Sequence, residues 1–287
     1  MWKSKDIYYV SDSTGILANN LGQSLICQFP EISFHEEKFP FIKTVADAQK
    51  TIDYIIRQSV GRRPIIFSTL VSPKLRAIFN HPEVELFDVC DVFLERLELC
   101  LEAKALGLPG YSRHADDGSM SKRVEAIHYC LGHDDGTKFN EYHEADVILV
   151  GVSRSGKTPV SVYLATHMGL KAANYPLTTQ NLDNYSLPDG LRRNRKKAVG
   201  LTIGPEILST IREKRYPNSN YAKRSTCVQE LQQAQQIFQK YSIPVINTSG
   251  KSIEELATQI TQEIGLSKKT DDLTPEKFTL ASRIEGQ

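Results

Sequence analysis

The strongest structural signal in the sequence lies in "ADVILVGVSRSGKTPVSVYLATHMGL", residues 145–170. Its apolar, β-branched run from Val147 to Val150 is typical of a buried parallel strand. After the glycines, Val160, Leu164 and Met168 recur at helical spacing, and Pro159 stands where a first helical turn tolerates it. The segment therefore predicts a strand, a glycine loop and a helix in the order that a phosphate-binding loop requires.

The loop itself, "GVSRSGKT", has the spacing Gly, four residues, Gly-Lys-Thr. The glycines let backbone amides approach phosphate oxygens, and Lys157 offers a mobile ammonium to the outer phosphates. The Thr158 hydroxyl is a candidate Mg²⁺ ligand, with the metal held through the nucleotide. We predict that the nucleotide phosphates bind Gly151, Val152, Ser153, Arg154, Ser155, Gly156, Lys157 and Thr158. The alternative is an ordinary strand-to-helix turn with a surface lysine.

Composition excludes several classes of protein. The 287 residues are 40% hydrophobic and 24% charged, as expected of a globular protein with one large core or two medium ones. The net charge of +1 gives no support to a nucleic-acid partner. No segment approaches the ~20 apolar residues that span a bilayer, so we expect no membrane partner and a cytoplasmic location. Five scattered cysteines without a CxxC pair predict reduced thiols rather than disulfides or a zinc site.

Strand and helix patterns alternate along the chain, which predicts an α/β fold with parallel sheets. We expect an N-terminal parallel α/β domain at 1–106, followed by a P-loop kinase-like α/β domain at 123–267. The polar stretch "GLPGYSRHADDGSMSK", 107–122, is the expected connection, and 268–287 is the expected polar tail. Further strands are predicted at 7–10, 64–70 and 197–203, a helix at 227–241, and a capping box at "SIEE".

A histidine and two carboxylates precede the phosphate loop in "GHDDG", residues 132–136. Carboxylates near a nucleotide can hold Mg²⁺ or accept a proton from an attacking hydroxyl. We therefore take Asp134, Asp135 and His133, together with Lys157, as candidate catalytic residues. A helix C-terminal turn explains the same residue types equally well, but no other strand ends in an aspartate that could be the acidic partner.

The N-terminal loop "SDSTG", residues 11–15, also lies between a strand and a helix pattern. It lacks a lysine, so it does not qualify as a second loop of the same kind. Ser11, Ser13 and Thr14 could still bind an anion. The alternative is a capping turn in which Asp12 or Ser13 satisfies helix amides.

Two basic segments remain. Arg212, Arg215, Lys223 and Arg224 could form a mobile lid over a transferring phosphate, or a solvated face. The cluster "LRRNRKK", residues 191–197, is expected to be exposed and could dock an acidic partner surface.

Read in order, "SDSTG", "HDDG", "GVSRSGKTP" and "ANYPL" identify a resemblance to the phosphoenolpyruvate (PEP) synthetase regulatory protein family, relatives of the pyruvate, phosphate dikinase regulatory proteins. The resemblance covers roughly residues 5–267, and "SRSGKTP" is more specific than a generic phosphate loop. The segment "QFPEISFHEEKFPF" is nearer to the PEP synthetase branch.

The resemblance implies a bifunctional enzyme. One activity transfers phosphate from ADP to a threonine of PEP synthase, which inactivates that enzyme. The other uses inorganic phosphate to remove the group as pyrophosphate, and Mg²⁺ is the expected metal. Pyruvate, phosphate dikinase as the target, a small-metabolite kinase and a non-catalytic nucleotide sensor stay open as alternatives, as does assembly into a homo-oligomer.

Overall fold

The computed structural model describes residues 3–109 and 117–266. The chain divides into two compact units, Met1–Asp116 and Asp117–Gln287, here called the N-terminal and C-terminal units. Each contains a four-stranded parallel sheet with helices, so the predicted two-domain α/β class is confirmed. Across the described ranges, every helix is too short or too polar to cross a membrane.

The N-terminal unit alternates strands and helices throughout. Its elements are β1 (Lys3–Val10), α1 (Ile16–Ile26), β2 (Ile32–Phe39), α2 (Val45–Gln58), β3 (Ile65–Ser68), α3 (Pro73–Phe79), β4 (Glu85–Asp88) and α4 (Asp91–Leu101). The strand order is β2-β1-β3-β4, and every pairing is parallel.

The side chains of β1 alternate between two cores, because successive residues of a strand point to opposite faces. Ile7 and Tyr9 pack in the same core as residues of α1. Tyr8 and Val10 pack on the other face with residues of α2 and α3. The helices that follow the neighbouring strands β1 and β3 therefore cover opposite faces of the sheet, which opens a crevice between the two loops at its carboxyl edge.

The C-terminal unit repeats this plan. Its elements are α5 (Asp117–Gly132), β5 (Val147–Gly151), α6 (Lys157–Met168), β6 (Ala172–Pro176), α7 (Thr179–Asn184), α8 (Asp189–Arg193), β7 (Ala198–Thr202), α9 (Pro205–Arg215), α10 (Arg224–Tyr241), β8 (Val245–Asn247) and α11 (Ile253–Glu263). Short 3₁₀ turns occur at Phe139–Glu144, Arg195–Lys197 and Asn220–Ala222. The strand order is β6-β5-β7-β8, again with parallel pairs.

The central strand β5 is buried along its whole length, as its apolar run predicts. Val147 and Leu149 pack in one core with residues of α6 and α11, whereas Ile148 and Val150 pack in the other with residues of α9 and α10. The loops after β5 and β7 thus diverge to opposite faces. The phosphate loop of the sequence lies at this divergence, where ligands of open α/β sheets bind.

Several sequence predictions need correction or extension. The strands β2 and β6 were not predicted, and residues 117–122, expected in the connection, begin the helix α5. Residues 110–116 of that connection and the expected tail 268–287 lie outside the described residues. The capping box at Ser252 and Glu255 is confirmed.

The capping turn proposed for "SDSTG" is wrong. Helix α1 begins after Gly15, which has φ 72°, and no side chain caps it. Asp12 instead accepts a hydrogen bond from the Val71 amide at 2.7 Å, because this buried carboxylate faces the loop after β3. Ser11 accepts from the Ser13 amide at 3.1 Å and so stabilises the loop itself.

Candidate phosphate-binding site

The loop between β5 and α6 has a backbone that its glycines make possible. Gly156 has φ 94° and Arg154 has φ 73°, both in the left-handed region that favours glycine. At Gly151 a Cβ atom would lie 2.6 Å from the Leu201 carbonyl oxygen and 2.7 Å from the Ser155 hydroxyl oxygen. Any side chain at position 151 would therefore push the loop away from β7.

Polar groups of the loop have unused hydrogen-bonding capacity. The N-cap of α6 is Gly156, and no side chain caps the helix. The first helix amides have no intrahelical acceptor, and they carry the positive end of the helix dipole. The Ser155 hydroxyl is fully buried and has no hydrogen-bond partner among the described residues. Such a set of donors is suited to an anion.

Lys157 is buried at the start of α6, and its ammonium donates a 3.0 Å hydrogen bond to the Val152 carbonyl oxygen. The ammonium therefore folds back over the loop. Burial lowers the pKa of Lys157 from 10.5 to about 8, and the carboxylates of Asp135 and Asp134 partly oppose this shift. A phosphate bound at the loop would give the buried ammonium a negatively charged partner.

The Thr158 hydroxyl donates to Asp134, with its oxygen 3.2 Å from the nearer carboxylate oxygen. Asn174 of β6 donates from its amide nitrogen to the same carboxylate and, at 2.8 Å, to the Thr158 hydroxyl. These contacts join the loop, the turn before β5 and the edge strand β6. They place a carboxylate and a hydroxyl oxygen side by side, which is the hard oxygen chemistry that Mg²⁺ prefers.

The turn that carries the carboxylates is attached to β6 through its backbone. The Gly136 amide donates to the Asn174 carbonyl at 2.8 Å, and the Asn174 amide donates to the His133 carbonyl at 3.0 Å. Asp135 adopts φ 51°, an αL conformation that aspartate tolerates. Its carboxylate makes no hydrogen bond or ion pair to another described residue, so it remains available to a substrate.

His133 has a different environment. Its ring is buried, lies between the Tyr129 carbonyl at 2.7 Å and the Glu141 carboxylate at 3.1 Å, and stacks on the Tyr129 ring at 3.7 Å. Both ring nitrogens are thus occupied by residues of α5 and the following turn. His133 therefore positions the turn that holds Asp134 and Asp135, and its ring nitrogens are engaged in these contacts rather than free for a substrate.

Arg212 of α9, expected on a mobile lid or a solvated face, is fully buried, and both expectations are wrong for this residue. Its guanidinium donates to the Ser153 carbonyl at 3.1 Å and to the Glu230 carboxylate at 2.6 Å. Tyr221 packs its ring 4.0 Å from the guanidinium carbon and donates its hydroxyl to the Ser153 hydroxyl at 2.8 Å. Arg212 and Tyr221 therefore fix the phosphate loop from the side of α9 and α10.

The other basic residues of the two segments are exposed, except for Lys197, which is half-buried. Arg224 is exposed and pairs with Glu206 at 2.6 Å. Within the cluster 191–197, Arg192, Arg193 and Arg195 are exposed, whereas Lys197 donates to the carbonyls of His143 and Ala145 at 2.8 and 2.7 Å.

The residues present are suited to a nucleotide phosphate with Mg²⁺. An unpartnered buried hydroxyl, an uncapped helix N-terminus and a buried lysine line the loop, and Thr158 and Asp134 supply adjacent oxygens. Together the fold and the site define an α/β protein with a loop suited to an anion at the switch point of a parallel sheet.

The chain belongs to the kinase/pyrophosphorylase family, whose model matches residues 7–261. By its description this is a family of phosphotransferases. The chain is 51% identical to a protein of Desulfotalea psychrophila over 91% of this chain and 96% of the relative. It is 40% identical to a protein of Hahella chejuensis over 91% of this chain and 97% of that relative. A protein of Neisseria meningitidis serogroup B is 41% identical over 94% of this chain and its own full length. All three are named as phosphoenolpyruvate synthase regulatory proteins.

Three residues of the site, Asn174, Tyr221 and Glu230, were not predicted from the sequence. Asn174 lies within "ANYPL", which carried part of the family resemblance, so a signal was present. Tyr221 and Glu230 lie in polar segments whose pattern gives no indication that they surround a buried arginine.

Proposed function

We propose that this protein regulates PEP synthase by two opposed phosphoryl transfers at the loop 151–158. In one, the oxygen of a target threonine attacks the β-phosphorus of ADP, the bond to the bridging oxygen breaks, and AMP leaves. In the other, an oxygen of inorganic phosphate attacks the phosphorus of phosphothreonine, which releases pyrophosphate and the threonine hydroxyl. The membership of the kinase/pyrophosphorylase family and the names of the relatives support both reactions.

The observation that carries the proposal is the convergence of Lys157, Thr158 and Asp134 at one loop. Phosphoryl transfer depends mainly on positioning and on stabilising charge on the phosphoryl oxygens. Lys157 and the first amides of α6 supply the positive charge. Mg²⁺, when bound, would neutralise phosphate charge beside Thr158 and Asp134.

We assign the general base to Asp135. Asp134 already accepts hydrogen bonds from Thr158 and Asn174, which suits it to hold the metal and the loop. Asp135 is unpaired within the described residues and is the first of the charges that raise the pKa of Lys157 against the effect of burial. In the kinase direction Asp135 accepts the threonine proton, and in the reverse direction it returns a proton to the threonine oxygen.

The direct experiment incubates the purified protein with ADP, Mg²⁺ and PEP synthase, followed by mass mapping of the target. The proposal predicts one phosphothreonine and an equal amount of AMP. Addition of inorganic phosphate without ADP should then remove the modification and release pyrophosphate. Pyruvate, phosphate dikinase in place of PEP synthase tests the alternative target, and an unmodified synthase would contradict the proposal.

A further inference from the structure

The loop "SDSTG" of the N-terminal unit occupies the position in its sheet that the phosphate loop occupies in the other sheet. Both loops follow the strand that lies second in an order of the type 2-1-3-4, and both precede the first crossover helix. In each unit this is the switch point at the carboxyl edge, where ligand crevices of open α/β sheets form. The proposed function above makes no use of this edge in the N-terminal unit.

A cavity of about 650 Å³ lies at this edge. Its lining comes from the loops after β1, β2 and β3, together with α2, α3 and Pro109, all within the N-terminal unit. The volume falls within the range of about 300–1,000 Å³ that is typical of small-molecule and cofactor sites. A bare phosphate or a three-carbon acid would fill only a small part of it.

Cations and hydroxyls in the lining lack partners. Lys43 and Lys74 line the cavity, and neither makes a hydrogen bond or an ion pair to any residue that the structure describes. Ser72 is the N-cap of α3, yet its side chain makes no capping bond, although serine at this position ordinarily does. Two exposed ammonium groups and an uncommitted hydroxyl in the lining of one cavity favour a ligand with a phosphate group.

The remaining lining is apolar apart from Ser13 and the buried carboxylate of Asp12. Phe41, Ile42, Val45 and Leu75 form an apolar wall, of which the Phe41 side chain is 57% exposed. Asp12 is fixed by the Val71 amide and offers a carboxylate within the same cavity. An aromatic ring and a carboxylate suit a planar base together with ribose hydroxyl or amino donors.

The backbone at Phe41 holds this wall in place. Phe41 has φ 60°, a conformation that is uncommon for a bulky residue and that clusters at ligand sites. Its amide donates to the Ser13 carbonyl at 2.8 Å, and the Ile42 amide donates to the Ser11 carbonyl at 3.0 Å. The loop after β2 is therefore bonded to "SDSTG", and the two loops form one rigid side of the cavity.

We infer that this cavity is a second ligand site, which binds a purine nucleoside phosphate through Lys43 and Lys74 and is separate from the loop 151–158. The phosphate lies at the lysines, the base packs against Phe41, and Asp12 accepts from the ribose or the amino group. The occupancy of this site would follow the concentration of adenine or guanine nucleotides, and the bound nucleotide would take no part in the reaction.

The test is equilibrium dialysis of the full chain with AMP and, separately, GMP. Wild-type protein should bind more nucleotide than the Lys157→Ala variant, and that variant should retain about one equivalent. The Lys43→Gln/Lys74→Gln pair should weaken the retained binding by about 10-fold or more, since it removes both charge-assisted contacts to the phosphate. Lys38→Gln/Lys50→Gln removes two exposed charges of the same unit outside the cavity and should have no effect.

The inference would be overturned if the Lys157→Ala variant bound neither AMP nor GMP. It would also be overturned if the two pairs of lysine substitutions weakened the binding equally. Competition by inorganic phosphate as strong as that by AMP would replace the nucleoside phosphate with a bare anion and also overturn it. If Lys157→Ala does not fold, the number of nucleotides bound per chain provides the test. The wild type should bind about two equivalents and the Lys43→Gln/Lys74→Gln variant about one, because only the loop 151–158 remains in that variant. Nucleotide binding that depends only on Lys43 and Lys74 would instead contradict the proposed function.

Discussion

The Thr158 hydroxyl donates to the Asp134 carboxylate at 3.2 Å, which connects the first turn of α6 to the turn that precedes β5. Asn174 donates to both residues and so fixes their separation. Because a hydroxyl and a carboxylate oxygen are held together at the phosphate loop, their contact offers oxygen ligands of the kind that Mg²⁺ prefers. The strand that does end in an aspartate, β4 with Asp88, belongs to the N-terminal unit.

Asp134→Asn should weaken the response of the kinase to Mg²⁺. The amide keeps the shape of the carboxylate but removes the charge beside Thr158, so we expect a higher Mg²⁺ requirement and activity lower by at least ~10²-fold at limiting metal. Titration of activity against Mg²⁺ checks this. Asp183→Asn, an exposed position on α7, is the matched control. Equal Mg²⁺ curves for Asp134→Asn and wild type would assign Asp134 to the turn alone.

Asp135→Asn should lower kcat by at least ~10²-fold and leave the affinity for ADP nearly unchanged, because a general base acts on the threonine proton and not on nucleotide binding. Steady-state kinetics with PEP synthase, together with ADP binding by calorimetry, separates the two effects. A kcat within a few fold of wild type would remove Asp135 from the base role.

Nucleotide binding should take up a proton at alkaline pH. In the free protein the pKa of Lys157 is about 8, below the 10.5 of an exposed lysine, so its side chain is largely the neutral amine at about pH 9. A bound phosphate favours the charged form, so close to one proton should be taken up there and almost none at about pH 6.5. Calorimetry in buffers of different ionisation enthalpy measures the uptake, and Lys157→Met should abolish it. Uptake that persists in that variant would point to another group.

The same shift fixes the pH dependence of stability. Between the folded pKa of about 8 and the unfolded value of 10.5, the unfolded chain holds more protons on Lys157 than the folded chain does. Stability from this residue therefore rises with pH through that window. Denaturant unfolding across the window should show the wild type gaining stability relative to Lys157→Met as pH rises, and parallel curves would contradict the shift.

Arg212→Met should destabilise the C-terminal unit by about 3 kcal/mol. The Glu230 carboxylate loses its partner, and the loop loses the hydrogen bond from the guanidinium to the Ser153 carbonyl. Nucleotide affinity should fall in the variant protein that remains folded. Arg224→Met breaks an exposed pair and should change stability far less. Denaturant unfolding and nucleotide titration of both variants check the contrast, and equal losses would show that burial of Arg212 has no special role.

Gly151→Ala should disturb the loop at its origin, because the new methyl group would lie 2.6 Å from the Leu201 carbonyl oxygen. We expect a loss of about 1–3 kcal/mol and weaker nucleotide binding. Gly132→Ala is the control, since its methyl group would find only the Lys138 ammonium, 3.9 Å away. Stability of Gly151→Ala equal to that of the control would contradict the close packing of the loop on β7.

The sequence predicted the parts of the fold that depend on local patterns. The strand β5, its loop and α6 follow from an apolar run, glycine spacing and helical periodicity within one segment. Strand β2 was missed because "HEEK" places charges on an edge strand whose side chains are half-buried or exposed. Its pairing with β1 depends on residues far apart in the chain.

The site was predictable to the same extent. The loop and the "HDDG" carboxylates stand out in the sequence, but the distance between Asp134 and Thr158 is set by Asn174 on β6. Arginine side chains are mostly exposed in folded proteins, so the sequence predicts that Arg212 is exposed. It is buried here because Ser153 and Glu230, from two other segments, satisfy its guanidinium, and sequence patterns do not reveal such partners.

We propose that both phosphoryl transfers use one site, and the Lys157→Met variant distinguishes one shared site from two. The substitution keeps much of the apolar stem of a buried side chain and removes the ammonium. Measured on folded variant protein with PEP synthase, the ADP-dependent phosphorylation and the phosphate-dependent release of pyrophosphate should both fall, each by about 10²–10³-fold. Loss of phosphorylation with normal pyrophosphate release, or the reverse, would show that the protein has a second catalytic site.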